Sequence, residues 1–529
     1  CTSLGKTAFK FAGFCGNCKR ALSLLVFLCK KMLACYNKES VFHNCEIFLL
    51  HILEEFMTST ITPAKQRVQK AASFLLALYS FLFFLMHFIR IFDNSFWGDE
   101  GFTIRLAKMG FVDMVSATAK DVHPPLYYFF TQILCHIFGF HGYTYHLTAV
   151  IPYGLILVLC CTVVRKWFGV LPAAVVVTLS SLTDAALIYN VEARMYSLAA
   201  LFVFTAYLAF YQIYQKNRLM DWFIFGFASL CAAYTHYYAL ISVAFFYLML
   251  LPLLRRGKEY TKRILLLYGL TVLSYIFWLY VLLKTFKRTN GSWWLQSIAT
   301  FSDCFDFIWG YKWLAIAAFV LFALAVVQFL RQFQQQHSFS AEAIFFFAGL
   351  ISIFGTIFFG ISVSYVFSPF IVPRYLFPLA PVAYLMLGLL FPKFDRTKIL
   401  ALLFFCEIFA LGFPAYRELY QHEQDVERGT QICTEYITSS GDPIIYANDN
   451  GWSFPFVVET LFPNVPYVND SNALDSLDDS HKDIWIFWSS ELNNAQKEQL
   501  ARSGFTAEEV YSGCAYHDFF SGKFVPNPV

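Results

Sequence analysis

Five short stretches carry most of the polar side chains that could do chemistry. They are Asp99-Glu100 within Phe-Trp-Gly-Asp-Glu-Gly-Phe, Asp121-Val-His123-Pro-Pro-Leu-Tyr-Tyr128, Glu192-Ala-Arg194-Met-Tyr196, Thr235-His236-Tyr-Tyr238 and Pro373-Arg374-Tyr375. A positioned carboxylate or imidazole moves protons. A guanidinium forks onto phosphate oxygens and stays charged while doing so. Each stretch also has a plainer explanation. Asp99 and Glu100 suit a solvated loop, the two prolines suit the first turn of a helix, Glu192 and Arg194 suit mutual neutralisation, and His236 suits an interfacial position without chemistry. Their shared setting argues for function, because all five sit at ends of long apolar segments, where charge is costly.

Those segments dominate the chain. Of 529 residues, 58% are hydrophobic and 14% charged, against about 25% charged in a soluble domain. Crossing a hydrocarbon core of roughly 30 Å takes about 20 apolar residues. Spans are expected near 71–92, 145–164, 171–189, 195–215, 222–237, 238–254, 264–283, 312–330, 343–366, 376–391 and 398–415, about eleven in all by that length rule. The run Leu126–Phe138 is too short to cross. If it lies along the outer interface, the basic clusters Lys65/Arg67/Lys70, Arg165-Lys166, Lys216/Arg218 and Arg255–Arg263 all fall on the cytoplasmic side, as positive charge in short loops should. The five polar stretches then share the outer side.

This predicts an all-α polytopic membrane protein with an interfacial helix in the first outer loop and a small extracytoplasmic α/β domain. Residues 1–56, with six cysteines and an isolated Cys15-Gly-Asn-Cys18, read as an appendage. Met57 precedes a basic stretch and the first span, so residues 57–415 form the membrane domain. Residues 416–529 turn charged and mixed, with strand-like runs at Ile444–Tyr446 and Ile484–Trp488. Cys433 and Cys514 are expected to pair there if that side is oxidising. The net charge of +3 says little, but no basic, aromatic-interleaved domain occurs, so no nucleic-acid partner is expected.

The strings WGDEGFT, DVHPPLYYF, NVEARMYSLAAL, YTHYYAL and VPRYLFPLAPVAYLMLG, in this order, resemble bacterial members of the GT-C glycosyltransferase superfamily. The branch is that related to dolichyl-phosphate-mannose–protein mannosyltransferases and aminoarabinose transferases, and the resemblance spans about Phe74–Pro392. It implies transfer of a hexosyl or pentosyl group from a polyprenyl-phosphate donor in the bilayer to an envelope glycolipid, polysaccharide or protein. The site is the outer face of the cytoplasmic membrane, and the anomeric centre inverts. No soluble nucleotide sugar is used there, in keeping with a sequence that has no Gly-rich phosphate loop. Asp99 matches the catalytic aspartate, with Glu100 assisting or positioning it. Arg194 and Arg374, with Tyr196 and Tyr375, are expected on the donor phosphate. Asp121, His123, Glu192 and His236 are expected to position substrate. No cofactor and no required metal are expected. A transporter or flippase of a lipid-linked sugar is the alternative, although such proteins show broken midplane helices and internal repeats. A binding module built on residues 416–529 would leave the five polar stretches unexplained.

Overall fold

Segments rich in Leu, Phe and Ile can satisfy their backbone inside a bilayer only as helices or closed barrels, and the computed structural model is built from helices. It describes residues 64–92, 96, 98–288, 297–367, 369–393, 397–439, 441–447, 454–469, 483–488, 494, 495, 498, 502, 505–512 and 520–526. The appendage over residues 1–56, the Cys15/Cys18 pair and Cys514, and with it the expected disulfide, lie outside the described residues. The chain from Ala72 onward forms one compact unit, and of the residues before it only 64–71 are among those described.

Among the described residues, nine helices are long and apolar enough to cross a membrane. In chain order the helices begin with α1 (Ala64–Phe88), α2 (Gly98–Lys108), α3 (Phe111–Thr118) and α4 (Leu126–Phe138). Then come α5 (Gly142–Leu159, prolonged through a π turn to Phe168), α6 (Val170–Leu182), α7 (Asp184–Tyr189), α8 (Tyr196–Lys216), α9 (Leu219–Thr235) and α10 (Tyr237–Leu250). The remainder are α11 (Lys258–Arg288), α12 (Phe301–Trp309), α13 (Lys312–Gln336), α14 (Ala341–Val366), α15 (Ala380–Leu390, entered through a tight turn Pro373–Leu379), α16 (Thr397–Ser439) and α17 (Phe454–Leu461).

The count of about eleven includes α6 and α9, which at 13 and 17 residues are short for a crossing. Helix α6 is buried along nearly its whole length, so it meets protein and need not match the lipid thickness. The span expected over 171–189 is two helices. Thr183 is extended between them (φ −73°, ψ 150°). Its hydroxyl donates to the Leu179 carbonyl at 3.0 Å and pairs with the Tyr384 hydroxyl at 3.2 Å, while Tyr311 takes the Leu182 carbonyl. A side-chain hydroxyl that competes for backbone partners ends a helix in this way.

Helices α15 and α16 pack closely on α6 because small residues let backbones approach. A side chain added at Gly388 would stand 2.9 Å from the Pro172 Cα, and one at Gly412 would stand 2.9 Å from the Leu182 carbonyl. Larger rings fill what remains, as where Tyr207 stacks on Phe345 at 4.0 Å.

Helix α16 runs 43 residues without interruption past Pro414. The final span and the helical pattern expected over 418–437 are therefore one element, although the composition changes midway. Composition reports the medium around a helix, and the backbone is continuous through both. Beyond it lie five strands: β1 (Pro443–Ala447), β2 (Tyr467–Asn469), β3 (Asp483–Trp488), β4 (Phe505–Ser512) and β5 (Phe520–Pro526). They form one sheet of order β2-β1-β3-β5-β4. The first three strands are parallel, and β5 is antiparallel to both β3 and β4.

Two contacts tie this terminal part to the bundle. Val457, Val458, Trp485, Cys433 and Ile437 share an apolar core with Ile104 and Ala107 of α2, and Lys108 pairs with Glu459 at 3.1 Å. Near the end of the first span, Arg90 forks onto Glu423 of α16, with Nε 2.8 Å from Oε2, and its Nη1 donates to the Leu187 carbonyl.

Candidate functional site

Helix starts and chain reversals assemble the site. Asp99 and Glu100 occupy the first turn of α2, where a helix N-terminus favours negative charge. Arg194 immediately precedes α8, and Arg374 follows Pro373 in the turn that feeds α15. His236 is a single extended residue (φ −156°, ψ 135°) that reverses the chain between α9 and α10. His123 stands just before Pro124-Pro125, with Pro125 capping α4.

These ends meet. One oxygen of Asp99, Oδ2, lies 3.2 Å from Arg374 Nη2 and 3.9 Å from Arg194 Nη2. Nη1 of Arg194 also donates to the Asp99 carbonyl at 2.9 Å. His236 packs edge-on against Tyr196 and Tyr375, at centroid separations of 5.7 and 5.2 Å, and its ring lies 6.2 Å from that of His123. His123 donates from Nδ1 to Asp121 at 3.0 Å. Burial alone would raise the Asp121 pKa, but the hydrogen bond and charge of His123 leave it below the ordinary carboxylate value. His236 is held neutral, with its pKa well below the ordinary value, first by burial and then by the charges of His123, Arg194 and Arg374.

Glu100 faces elsewhere. It is 2% exposed, it accepts the Ala193 backbone N–H at 2.6 Å, and it lies 3.6 Å from Nδ1 of His146. Thr103 donates to the carbonyl of the same Ala193 at 2.9 Å. Expected to assist or position Asp99, Glu100 grips the turn that carries Arg194. Neighbours on a helix point about 100° apart, so an adjacent acidic pair divides between two faces. Glu192 is buried in that same turn, and its carbonyl accepts the Arg194 N–H.

Several buried polar atoms around the two arginines have no hydrogen-bond partner: Nε of Arg194, Nδ1 of His236 and the hydroxyls of Tyr196, Tyr128 and Tyr238. Unpartnered buried donors of this kind are costly unless something polar meets them. The sequence does not single out Tyr128 and Tyr238, although both lie inside the motifs. His146, which donates to the Val191 carbonyl at 3.0 Å, sits in an apolar helix that gives no signal. Among the described residues, no three of His, Cys, Asp and Glu are grouped so as to hold a metal ion. An apolar groove of about 240 Å³ between α3, α4 and α9 is lined by Phe111, Val115, Pro125, Phe129, Leu230 and Tyr234, among others. Of its lining residues, Pro125 stands two residues after His123 and Tyr234 two before His236.

No protein-family model matches the chain, and no curated protein matches its sequence. Among solved structures it is similar to ArnT from Cupriavidus metallidurans in the apo state, at 13% identity and a TM-score of 0.52, covering 86% of this chain and 98% of that one. It is equally similar to the same protein bound to undecaprenyl phosphate, at 13% identity and a TM-score of 0.52, over 85% and 97% of the two chains. A likeness at such identity is one of fold, and the fold is ArnT-like.

Proposed function

We propose that this chain is a membrane glycosyltransferase that takes a sugar from a polyprenyl-phosphate donor and passes it to an envelope acceptor at the outer face of the cytoplasmic membrane. The observation that carries the reading is the shared carboxylate. Asp99 lies between two arginines at a junction of helix ends, ringed by buried polar atoms without partners. The fold supports it, since ArnT of the same fold has been captured with undecaprenyl phosphate.

In this reading Arg194 and Arg374 hold the phosphate, and the apolar groove beside His123 and His236 takes the first isoprene units. The acceptor hydroxyl oxygen attacks the anomeric carbon, and its proton passes to Asp99. The bond from that carbon to the phosphate oxygen breaks, and the polyprenyl phosphate leaves with one more negative charge. Charge developing on a leaving phosphate is best met by groups already in place. Direct attack inverts the centre. Tyr196 and Tyr375 border the phosphate, while Asp121, His123 and His236 orient the sugar. No metal is required, so transfer should survive EDTA.

The test is incubation of the purified full-length protein with radiolabelled polyprenyl-phosphate sugars and native envelope fractions. Transfer of label identifies donor and acceptor together. No transfer from any donor, by protein that is folded and reconstituted, overturns the assignment. Sidedness is tested separately with cysteines at Lys166 and Lys258, which an impermeant reagent should not reach in intact cells.

A further inference from the structure

We infer that the Asp99 carboxylate is a place-holder for the donor's phosphate, so that loading the donor and freeing the catalytic base are a single exchange. This rests on the phosphate-site reading above and adds to it a rule about charge.

Three observations carry it. The oxygen that Arg374 and Arg194 share belongs to the residue expected to act as base. A carboxylate oxygen turned toward two guanidinium groups is not presented to an acceptor hydroxyl. In that pairing Asp99 cannot serve as base until something else satisfies the arginines.

Second, the backbone around Asp99 is tied down, while its side chain is partly exposed. The Asp99 carbonyl accepts from Arg194, Glu100 accepts the Ala193 N–H, and Thr103 donates to the Ala193 carbonyl. The Asp99 side chain is 36% exposed, against 4% for Arg194. An exchange therefore needs only rotation of one short side chain, and both arginines stay put.

Third, the unpartnered Nε of Arg194 and hydroxyl of Tyr196 exceed what one carboxylate oxygen can satisfy. A tetrahedral phosphate offers more acceptors over a wider angle.

The charges balance through the cycle. Two arginines contribute +2, while ionised Asp99 and a phosphodiester donor contribute −2. After transfer, Asp99 carries the acceptor's proton and is neutral, and the polyprenyl monophosphate carries −2, so the sum is unchanged. Asp121, bonded to His123, and Glu192 in the adjacent turn keep their states throughout. Once Asp99 gives its proton to water, one excess negative charge faces the product. Asp99 then returns to the arginines and displaces the monophosphate.

The test is equilibrium binding of a polyprenyl monophosphate to full-length wild type, Asp99→Asn, Asp99→Ala and Arg194→Ala in lipid nanodiscs. Removing a competitor that occupies the site nine-tenths of the time should tighten binding about tenfold, so both Asp99 variants should bind more tightly than wild type while their turnover falls. Millimolar formate should weaken binding to Asp99→Ala back toward wild type, by refilling the place. Unchanged or weaker binding in both Asp99 variants, with binding lost in Arg194→Ala, overturns the place-holder and leaves the phosphate site standing. Arg194→Ala binding as well as wild type overturns the phosphate site itself. A readout without substitution is the infrared difference spectrum of wild type labelled with ¹³C-aspartate. Adding the monophosphate should shift a carboxylate band, and a silent spectrum overturns the exchange.

Discussion

Two arginine–carboxylate groupings among the described residues look alike on paper and differ in how completely they are satisfied. Arg90 and Glu423 are 2% and 8% exposed and close on each other through two bonds, and the remaining Arg90 nitrogen goes to a backbone carbonyl. Arg194 and Arg374 share one oxygen of a partly exposed Asp99 at unequal distances, with a guanidinium nitrogen left over. The first pair ties the turn that follows α1 to α16. The second leaves capacity for something not part of the chain. Burial alone does not separate a strut from a site; the leftover hydrogen-bonding capacity does.

The largest expected effect falls on the open pair. Asp99→Asn should leave thermal unfolding near wild type while kcat falls about 10²–10⁴-fold, the usual cost of a lost general base. Near-normal turnover would reduce Asp99 to a solvated loop charge and dissolve the contrast. The closed pair should behave in the opposite sense. Arg90→Met leaves a buried carboxylate unpaired, which costs about 3–5 kcal/mol. Yield and unfolding temperature should drop while kcat per folded molecule holds. Adding Glu423→Met to Arg90→Met should recover most of the loss, and failure to recover would mean the pair does more than brace.

Arg194→Ala or Arg374→Ala should raise KM for the donor and lower kcat together. With about 1.5–3 kcal/mol for each charged hydrogen-bonding group, kcat/KM should fall roughly 10–100-fold. A change in kcat alone would place that arginine away from the ground-state phosphate. The smallest effect belongs to Glu100→Gln. An amide oxygen still accepts from Ala193, so activity should stay within about threefold, a loss below 1 kcal/mol. Glu100→Leu removes the acceptor and should cost clearly more. Equal losses in both variants would show that the charge of Glu100 matters, which a role in holding the turn does not require.

Much of this is legible in the sequence, and the part that is not has a physical reason. Asp99, Arg194 and Arg374 each stand where an apolar run begins or ends, and helix ends on one side must gather as the bundle packs. The short run Leu126–Phe138 behind two prolines is a separate helix for the same readable reason. The contacts of Glu100 are not legible, because adjacency in sequence is not adjacency on a helix face. The break at Thr183 depends on a hydroxyl from α15, and no local pattern carries that. The passage of α16 through Pro414 is hidden because the chain changes its surroundings there without changing its conformation.

The Arg90–Glu423 pair is out of the sequence's reach altogether, since its members lie 333 residues apart. That separation also sets a clock. At about 5–20 residues per second, synthesis must continue for roughly 17–67 seconds after Arg90 emerges before its carboxylate exists. Over that interval an arginine at the end of the first span has only backbone and water to lean on. The apolar backing of α2 around Val457 and Val458 is later still. The aspartate proposed as the base is thus made early and set last, and a nascent chain that stops short carries it unbraced.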